Sequence, residues 1–369
     1  MKVVLVIHSL SAGGAERVLC FLANAWVNRG VQVTIVTLVS ESSSFYDLDS
    51  RVGRVALAEA GESGGLGGAV AAVIHRCRTL RRRLREIGPD VVVAFTDTVN
   101  ALAVVASLGL PYRVVIAERT VPGYAVTRRF WALMRQLTYP RADVLVVQTE
   151  GVRRWASAFV DARRIVKIAN AVELPAIPAN ESLISMPGPG VVAIGRLVKL
   201  KGFDRLLRAF AACSPRPQRW SLCIIGEGPE RASLEQLAKS LGIADRVHLP
   251  GRVIQPSRYL PQFDLAVLTS EYEGFPNVIG EAMAAGLPVV SFDCPYGPRE
   301  IIRDGVDGVL VKPGDESGLC AALERLMRDD GVRRDMGNRA REVTSRFSVA
   351  EVLAAWARVI GIEESAIPG

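Results

Sequence analysis

No run of apolar residues in this 369-residue chain is long enough to cross a bilayer. The longest window, Ala101 to Leu110, is about half of the 20 or so residues that a spanning helix needs. The Val3 to Ile7 run is too short for a signal-peptide core, and Glu16 and Arg17 stand where a cleavage region would fall, so neither secretion nor membrane crossing is expected. The six cysteines (Cys20, Cys77, Cys213, Cys223, Cys294, Cys320) include no C-x2-C pair and mostly sit in apolar runs, which implies a reduced chain without a zinc site. Of the three histidines, His8, His75 and His248, none offers an evident acid–base group, and His8 reads as the end of a first strand. Ser11-Ala12-Gly13-Gly14-Ala15 does not supply the G-x-G-x-x-G turn of a nicotinamide oxidoreductase. No aromatic cluster accompanies the arginines to stack nucleic-acid bases.

What is present is an ordinary globular composition, 49% hydrophobic and 22% charged, at a length natural for two domains. Strand-like runs alternate with helical patterns, which predicts parallel sheets wound on both faces. A first set comprises residues 3–7, 32–38, 91–95, 113–117, 144–147 and 165–168; a second comprises 191–194, 221–225, 247–249, 265–268, 289–291 and 308–311. Between them a stretch with Pro175, Pro178, Pro187 and Pro189 reads as a linker, so the expected domains are 1–174 and 190–348, joined by 175–189 and facing a central cleft. Gly61 to Gly68 reads as a flexible loop. Net charge is uneven: residues 1–170 carry a balance of +9 and the remainder −2, which points to an acidic partner surface for the first half, either nucleic acid or anionic lipid.

The most informative stretch runs from Glu273 to Met283. Gly274 and Pro276 make a turn after the Leu265 to Leu268 run, Pro276 suits the first position of a helix, and Gly286-Leu287-Pro288 ends it after about ten residues. The N–H groups near Asn277 and Val278 then suit a phosphate. Glu273 and Glu281, eight positions apart, are compatible with that anion if they face neutral hydroxyls. Diphosphate plus hydroxyls describes a nucleotide sugar. Arg196 and Lys201 follow the 191–194 run, at the strand end where doubly wound sheets place ligands, and suit the charge that develops on a departing diphosphate. The alternative for each pair is a solvated charged turn.

Taken together, Glu273 to Met283, Gly195-Arg196-Leu197-Val198-Lys199-Leu200-Lys201-Gly202-Phe203, Gly226-Glu227-Gly228-Pro229 and Gly13-Gly14-Ala15-Glu16-Arg17 resemble the retaining glycosyltransferases of family 4, from Met1 to about Trp356. The resemblance implies the GT-B fold, two Rossmann-like domains, with a final helix (349–369) packing back onto the first. It implies Glu281 on ribose hydroxyls, Glu273 on donor-sugar hydroxyls, Asn277 and Val278 at the diphosphate, Gly226 among the donor contacts and Arg252 near the nucleobase. Gly14 falls in a loop bordering donor and acceptor; Glu16 reads equally as an acceptor contact or a first-turn surface charge. With no D-x-D near the donor site, neutralisation falls to Arg196 and Lys201, and neither metal nor cofactor is expected. Many relatives carry a His where this chain has Glu118-Arg119-Thr120, so Arg119 is a candidate acceptor contact and Glu118 a hydroxyl orienter, with an exposed turn pair as the alternative.

Val70, Val73, Ile74, Cys77, Leu80, Leu84 and Ile87 line one face of a helical pattern whose other positions include Arg76, Arg78, Arg81, Arg82, Arg83 and Arg85, with Glu86 the one acid. That is too one-sided for salt bridging along the helix and suits an anionic membrane; Thr127 to Tyr139 adds Arg128, Arg129 and Arg135 beside Phe130, Trp131 and Met134. Arg78, Arg82 and Arg85 are the candidate lipid contacts. The expected protein is a cytoplasmic, peripherally membrane-associated hexosyltransferase. Its expected partners are a UDP-sugar donor (GDP-mannose being the alternative), a polyprenyl-diphosphate-linked glycan acceptor and an anionic membrane surface, with no nucleic acid.

Overall fold

The computed structural model describes residues 1–39, 44–57, 65–122, 129–173, 184, 188–213 and 220–362. The chain forms two compact units, Met1–Asn170 with Ala350–Gly369, and Ala171–Val349. Most of the proline-rich stretch 174–189, and residues 61–64 of the glycine-rich loop, lie outside the described residues.

Unit 1 runs β1 (Lys2–Ile7), α1 (Gly14–Val27), β2 (Gln32–Thr37), β3 (Gly53–Ala56), α2 (Gly65–Ile87), β4 (Val91–Phe95), α3 (Asp97–Ser107), β5 (Arg113–Ala117), α4 (Arg129–Thr138), β6 (Val144–Val147), α5 (Glu150–Ala156) and β7 (Ile165–Lys167). The strands form one parallel sheet in the order β3-β2-β1-β4-β5-β6-β7. Val3, for instance, sits between Val33 of β2 and Val91 of β4. Val3 to Ile7 and the whole of β4 are buried, because helices cover both faces of a parallel sheet and unbroken Val/Ile runs fit that double burial. The six expected strands are present. The seventh, β3, was not expected: four residues at the sheet edge, half-buried and exposed by turns, leave no apolar run to read. Gly65 to Gly68, expected as loop, are the first residues of α2.

Unit 2 runs β8 (Gly190–Ile194), α6 (Phe203–Ala212), β9 (Ser221–Ile225), α7 (Arg231–Ser240), β10 (Val247–Gly251), β11 (Leu265–Leu268), α8 (Asn277–Ala284), β12 (Val289–Phe292), α9 (Pro298–Ile301), β13 (Gly308–Val311), α10 (Glu316–Arg328), α11 (Asp330–Ala340) and α12 (Val343–Arg346). Its parallel order is β10-β9-β8-β11-β12-β13. The order reverses between β8 and β11, as it does between β1 and β4 in unit 1. Such reversals open a crevice outside the carboxyl ends of the strands.

The last helix, α13 (Val349–Ile360), belongs with unit 1 from Ala350 onward. Its Trp356 is fully buried, stacked on Phe95 at 6.0 Å and edge-on to Trp26 at 6.3 Å. No described helix is long and apolar enough to cross a membrane.

In unit 2, α6 and α10 bring Cys213 and Cys320 to 3.8 Å, with Glu324 close by, a grouping without a sequence signal because the thiols are 107 residues apart. Burial pushes the Cys213 thiol strongly up, with Cys320 adding to the effect, which disfavours the thiolate that a metal would require.

Candidate active site

The carboxyl end of the second sheet is drawn together by glycines that admit backbone where a side chain would collide. A Cβ on Gly226, after β9, would lie 1.8 Å from the Gly195 carbonyl oxygen after β8, and one on Gly228 would lie 2.4 Å from that of Leu197. Gly195 N–H donates to Ile225 O and Leu197 N–H to Glu227 O, which completes the seam. On the other side of β8, Gly202 sits at φ +61°, and a Cβ there would lie 2.3 Å from Thr269 O. The Thr269 hydroxyl donates to Lys201 O (2.8 Å) and Glu271 N–H to Leu200 O, so the loops after β8 and β11 are joined across the switch point.

That junction fixes a charged pair. Lys201 Nζ donates to Glu273 Oε1 at 2.6 Å, and the Ser270 hydroxyl donates to the same oxygen at 2.7 Å. Both partners are largely shielded, with side chains 21% and 15% exposed, so screening is weaker than at a surface pair. Cys294 adjoins them; burial first, then Glu273, pushes its thiol up to about 12, which leaves it an uncharged wall. Behind Glu273, Gly297 admits Pro276, whose Cδ would lie 2.6 Å from a Cβ there. Tyr296 bridges Glu273 backbone to backbone while held at φ +78°, a conformation that non-glycine residues rarely adopt.

Pro276 is the N-cap of α8 rather than its first residue, and the helix has eight residues rather than ten. No side chain caps it, and Ile279 N–H turns back to Pro276 O. Asn277 and Val278 therefore form the first turn at the mouth of the loop that carries Glu273. Glu281 is buried at 8% exposure, which goes against the solvated-turn alternative for it. Arg196 is exposed in the loop after β8, and Arg252 is exposed after β10, where Gly226 N–H donates to Gly251 O. The structure thus brings Lys201 into direct contact with Glu273, and sets Arg196, Gly226, Arg252, Asn277, Val278 and Glu281 on the loops and helix that leave the same sheet.

The remaining candidates lie in unit 1. Gly13 caps α1 and Gly14 is its first residue; the Glu16 carboxylate folds back over Gly13, where N3 carboxylates of capping boxes lie. Glu118 corrects the exposed-turn alternative. It is 1% exposed and accepts from Tyr139 OH (2.7 Å), Thr120 Oγ1 (2.5 Å) and Thr120 N–H (2.9 Å), with Arg135 Nη1 at 3.7 Å. Burial nevertheless raises its pKa above the ordinary glutamate value, the hydrogen bonds from Thr120 and Tyr139 opposing. Arg119 donates to Asn170 Oδ1 at 2.7 Å and lies over the rings of Phe95 (5.4 Å) and Trp356 (5.7 Å). Burial pushes its guanidinium down to about 9, so it stays charged at neutral pH. Arg78, Arg82 and Arg85 are exposed on α2. The helix is less one-sided than its composition: Arg83 pairs with Glu86 at 2.7 Å, Arg82 Nε lies 3.9 Å from the same carboxylate, and Arg81 donates to Ala106 O and Leu108 O.

Comparison with known proteins adds a decisive pattern. A glycosyl transferase 4-like domain matches residues 13–171, and the family described as glycosyl transferases group 1 matches residues 179–343, so the two descriptions divide the chain almost as its two units do. The chain belongs to the group 1 glycosyltransferases. It is 29% identical, over 98% of each chain, to a Campylobacter jejuni α-1,4-N-acetyl-D-galactosaminyltransferase named for a diphospho-undecaprenol-linked substrate. It is 34% identical over 280 residues to an exopolysaccharide phosphotransferase of Streptomyces coelicolor, of which it spans only 29% of the length. Among solved structures, an Anabaena protein in complex with UDP superposes with a TM-score of 0.80 over 98% of this chain and all of that one, at 20% identity. As a glycosyltransferase, the chain has structural residues around the pair that its sequence did not announce. Ser270 had no motif of its own. Tyr296 and Gly297 did have a signal, the Pro295-Tyr296-Gly297-Pro298 turn that follows a strand-like run. Away from the pair, in unit 1, Thr96 after β4 is held at φ +74°, and nothing in its neighbours' identities foretells this.

Proposed function

We propose that this glycosyltransferase moves a hexose or N-acetylhexosamine from a UDP-linked donor, with retention of configuration and without a metal ion, to a polyprenyl-diphosphate-linked glycan at the cytoplasmic face of a membrane. The observation that carries the reading is the Lys201–Glu273 pair, 2.6 Å apart at the β8/β11 switch point, beside the uncapped start of α8. A cation already held in place meets the charge developing on a departing β-phosphate without reorganising, which stabilises the transition state more than the ground state. Glu273, one oxygen of which is held by Lys201 and Ser270, offers its other oxygen to hydroxyls of the donor sugar. Arg196 shares the diphosphate with Lys201 and with the amides at Asn277 and Val278; Glu281 takes the ribose hydroxyls and Arg252 flanks the base. Gly226 and Gly14 allow backbone to approach the donor. Glu16 and Arg119 serve the acceptor, and Arg78, Arg82 and Arg85 meet lipid phosphate. The acceptor class is supported by the substrate in the Campylobacter relative's name.

A panel of UDP- and GDP-linked sugars, scored by hydrolysis and by transfer to a polyprenyl-diphosphate-linked glycan, tests the reading. Turnover of a UDP-sugar is expected. Preference for GDP-mannose makes the protein a mannosyltransferase, and failure with every nucleotide sugar ends the proposal.

A further inference from the structure

One helix in the outer layer of unit 1 is turned against its own composition. On α4 the buried residues include Arg135, which lies over the Trp155 ring at 5.5 Å, and Thr138, whereas Phe130, Leu133 and Leu137 are 45%, 53% and 49% exposed. With Ile74 on α2 and Leu108 just after α3, they make five of the eight exposed large hydrophobic side chains among the described residues. Apolar side chains left in water forgo the main driving force for folding, and a patch of this kind marks a surface that something apolar covers.

Between α2, α3 and α4 opens a slot of about 390 Å³, walled by Val73, Cys77, Leu102, Val105, Trp131 and Met134. Its size is that of a small-molecule site and its walls are almost wholly apolar. Ile74 is also part of its wall, and Phe130 packs edge-on against Trp131 at 5.2 Å, so two of these exposed side chains adjoin the slot. At Arg78 and Arg81 the slot runs into a second hollow of about 400 Å³, lined by Arg78, Arg81, Arg82, Arg85 and Glu86. Arg81 is held between the two by its bonds to Ala106 O and Leu108 O, while Arg78, Arg82 and Arg85 remain exposed.

We propose that the slot takes one acyl chain of an anionic bilayer phospholipid, whose phosphate lies against Arg78, Arg82 and Arg85. The inference rests on the membrane-facing reading of α2 given above and extends it from surface attraction to a defined site. An apolar slot that opens into a basic hollow matches one hydrocarbon chain bearing one phosphate. The exposed residues of α4 would then lie in the acyl layer, with the arginines at headgroup level. The occupant is a lipid of the bilayer, not the glycosyl acceptor.

Cys77 reports on the slot. It is a half-buried free thiol in the wall of the slot, and only Cys320 among the other cysteines is comparably accessible. In a Cys320→Ser background, vesicles of phosphatidylglycerol and phosphatidylcholine containing no polyprenyl lipid should slow alkylation of Cys77 at least about tenfold, and pure phosphatidylcholine should not. Dodecyl phosphate below its micellar concentration should protect, and butyl phosphate at the same concentration should not. Val105→Trp fills the slot from a half-exposed position on α3 and should reduce co-sedimentation with the anionic vesicles at least about tenfold at an unchanged thermal midpoint. Val73→Trp approaches from α2 and serves if the first variant fails to fold. Hydrolysis of the donor should be the same in all of these, so a failed slot leaves the glycosyltransfer reading intact, and an inactive enzyme leaves the slot intact. Unprotected Cys77, protection by butyl phosphate, protection only after a polyprenyl phosphate is added, or wild-type sedimentation of the filled variants overturns the proposal.

Discussion

The two units wind their sheets in the same order from the same kind of Val- and Ile-rich strands, and both bury charge, yet they differ in the apolar side chains they leave outside. Unit 2 has an apolar core of Leu206, Phe210, Leu222, Ile224, Leu323 and their neighbours, buries Asp307 against Arg303 and Arg333 over Trp220, and among its described residues leaves only Ile254 as a large exposed hydrophobic, while Lys201 meets Glu273 at the strand ends. Unit 1 takes Glu118 and Arg135 inside and turns Phe130, Leu133 and Leu137 outward. A helix covering a parallel sheet can therefore carry either polarity, provided each buried charge finds partners; Glu118 has three hydrogen-bond donors and an arginine. On the function and the lipid slot proposed above, the chemistry falls to the strand ends of one unit and apolar contact to the outer helices of the other.

The comparison breaks first if unit 1 does not depend on α13. Trp356→Ala should lower unfolding free energy by about 3–5 kcal/mol, the range for truncating a buried Trp, and chemical denaturation with a probe in each unit should place the loss in unit 1. An unmoved midpoint would show that Trp356 is a dispensable cover. Next in size is the charged pair. Lys201→Ala should reduce donor turnover by about 10²–10³ with the fold retained, comparable to removing one oxyanion donor, while a chelator leaves the wild-type rate unchanged. Chelator inhibition reversed by magnesium or manganese would transfer the role of Lys201 to a metal.

A third comparison sets one glycine in each unit against the other. Gly226→Ala puts a methyl against the Gly195 carbonyl and should destabilise unit 2 and lower donor affinity together. Gly30→Ala, at φ +74° with open space around it, should cost only about 1 kcal/mol of backbone strain and leave kinetics alone. Equal losses would mean that the seam between the loops after β8 and β9 is not what holds the site.

The pH dependence of unit 1 supplies a gentler probe. Because burial raises the Glu118 pKa, the folded chain holds this proton to higher pH than the unfolded chain does. The Glu118 contribution is then fully present below the ordinary carboxylate range and declines as pH rises through the raised value. Glu118→Gln should lack that slope when denaturation midpoints are compared across the acidic-to-neutral range; a parallel slope in both proteins would assign it elsewhere. The effect most easily removed, because salt screens it, belongs to Arg78→Gln with Arg82→Gln and Arg85→Gln. Each basic residue near an anionic surface contributes on the order of 1 kcal/mol at most, less as salt rises, so vesicle binding should weaken and donor hydrolysis persist. Binding that ignores both salt and lipid charge would leave these arginines as solvated surface.

Local pattern carried the strands, their parallel winding and the turns that follow them, since unbroken β-branched runs, glycine turns and a helix start are written in neighbouring positions. Twelve of the thirteen strands were legible this way; β3 was not, because a short edge strand needs no apolar run. Which groups meet was settled only by the folded chain. Lys201 and Glu273 are 72 residues apart, and their pairing depends on how closely the backbones at Gly202 and Thr269 approach, a distance that no spacing records. The same holds for burial. The period of α4 shows which residues share a face, but which face turns inward depended on Glu118, supplied by a distant strand end, being there to receive Arg135.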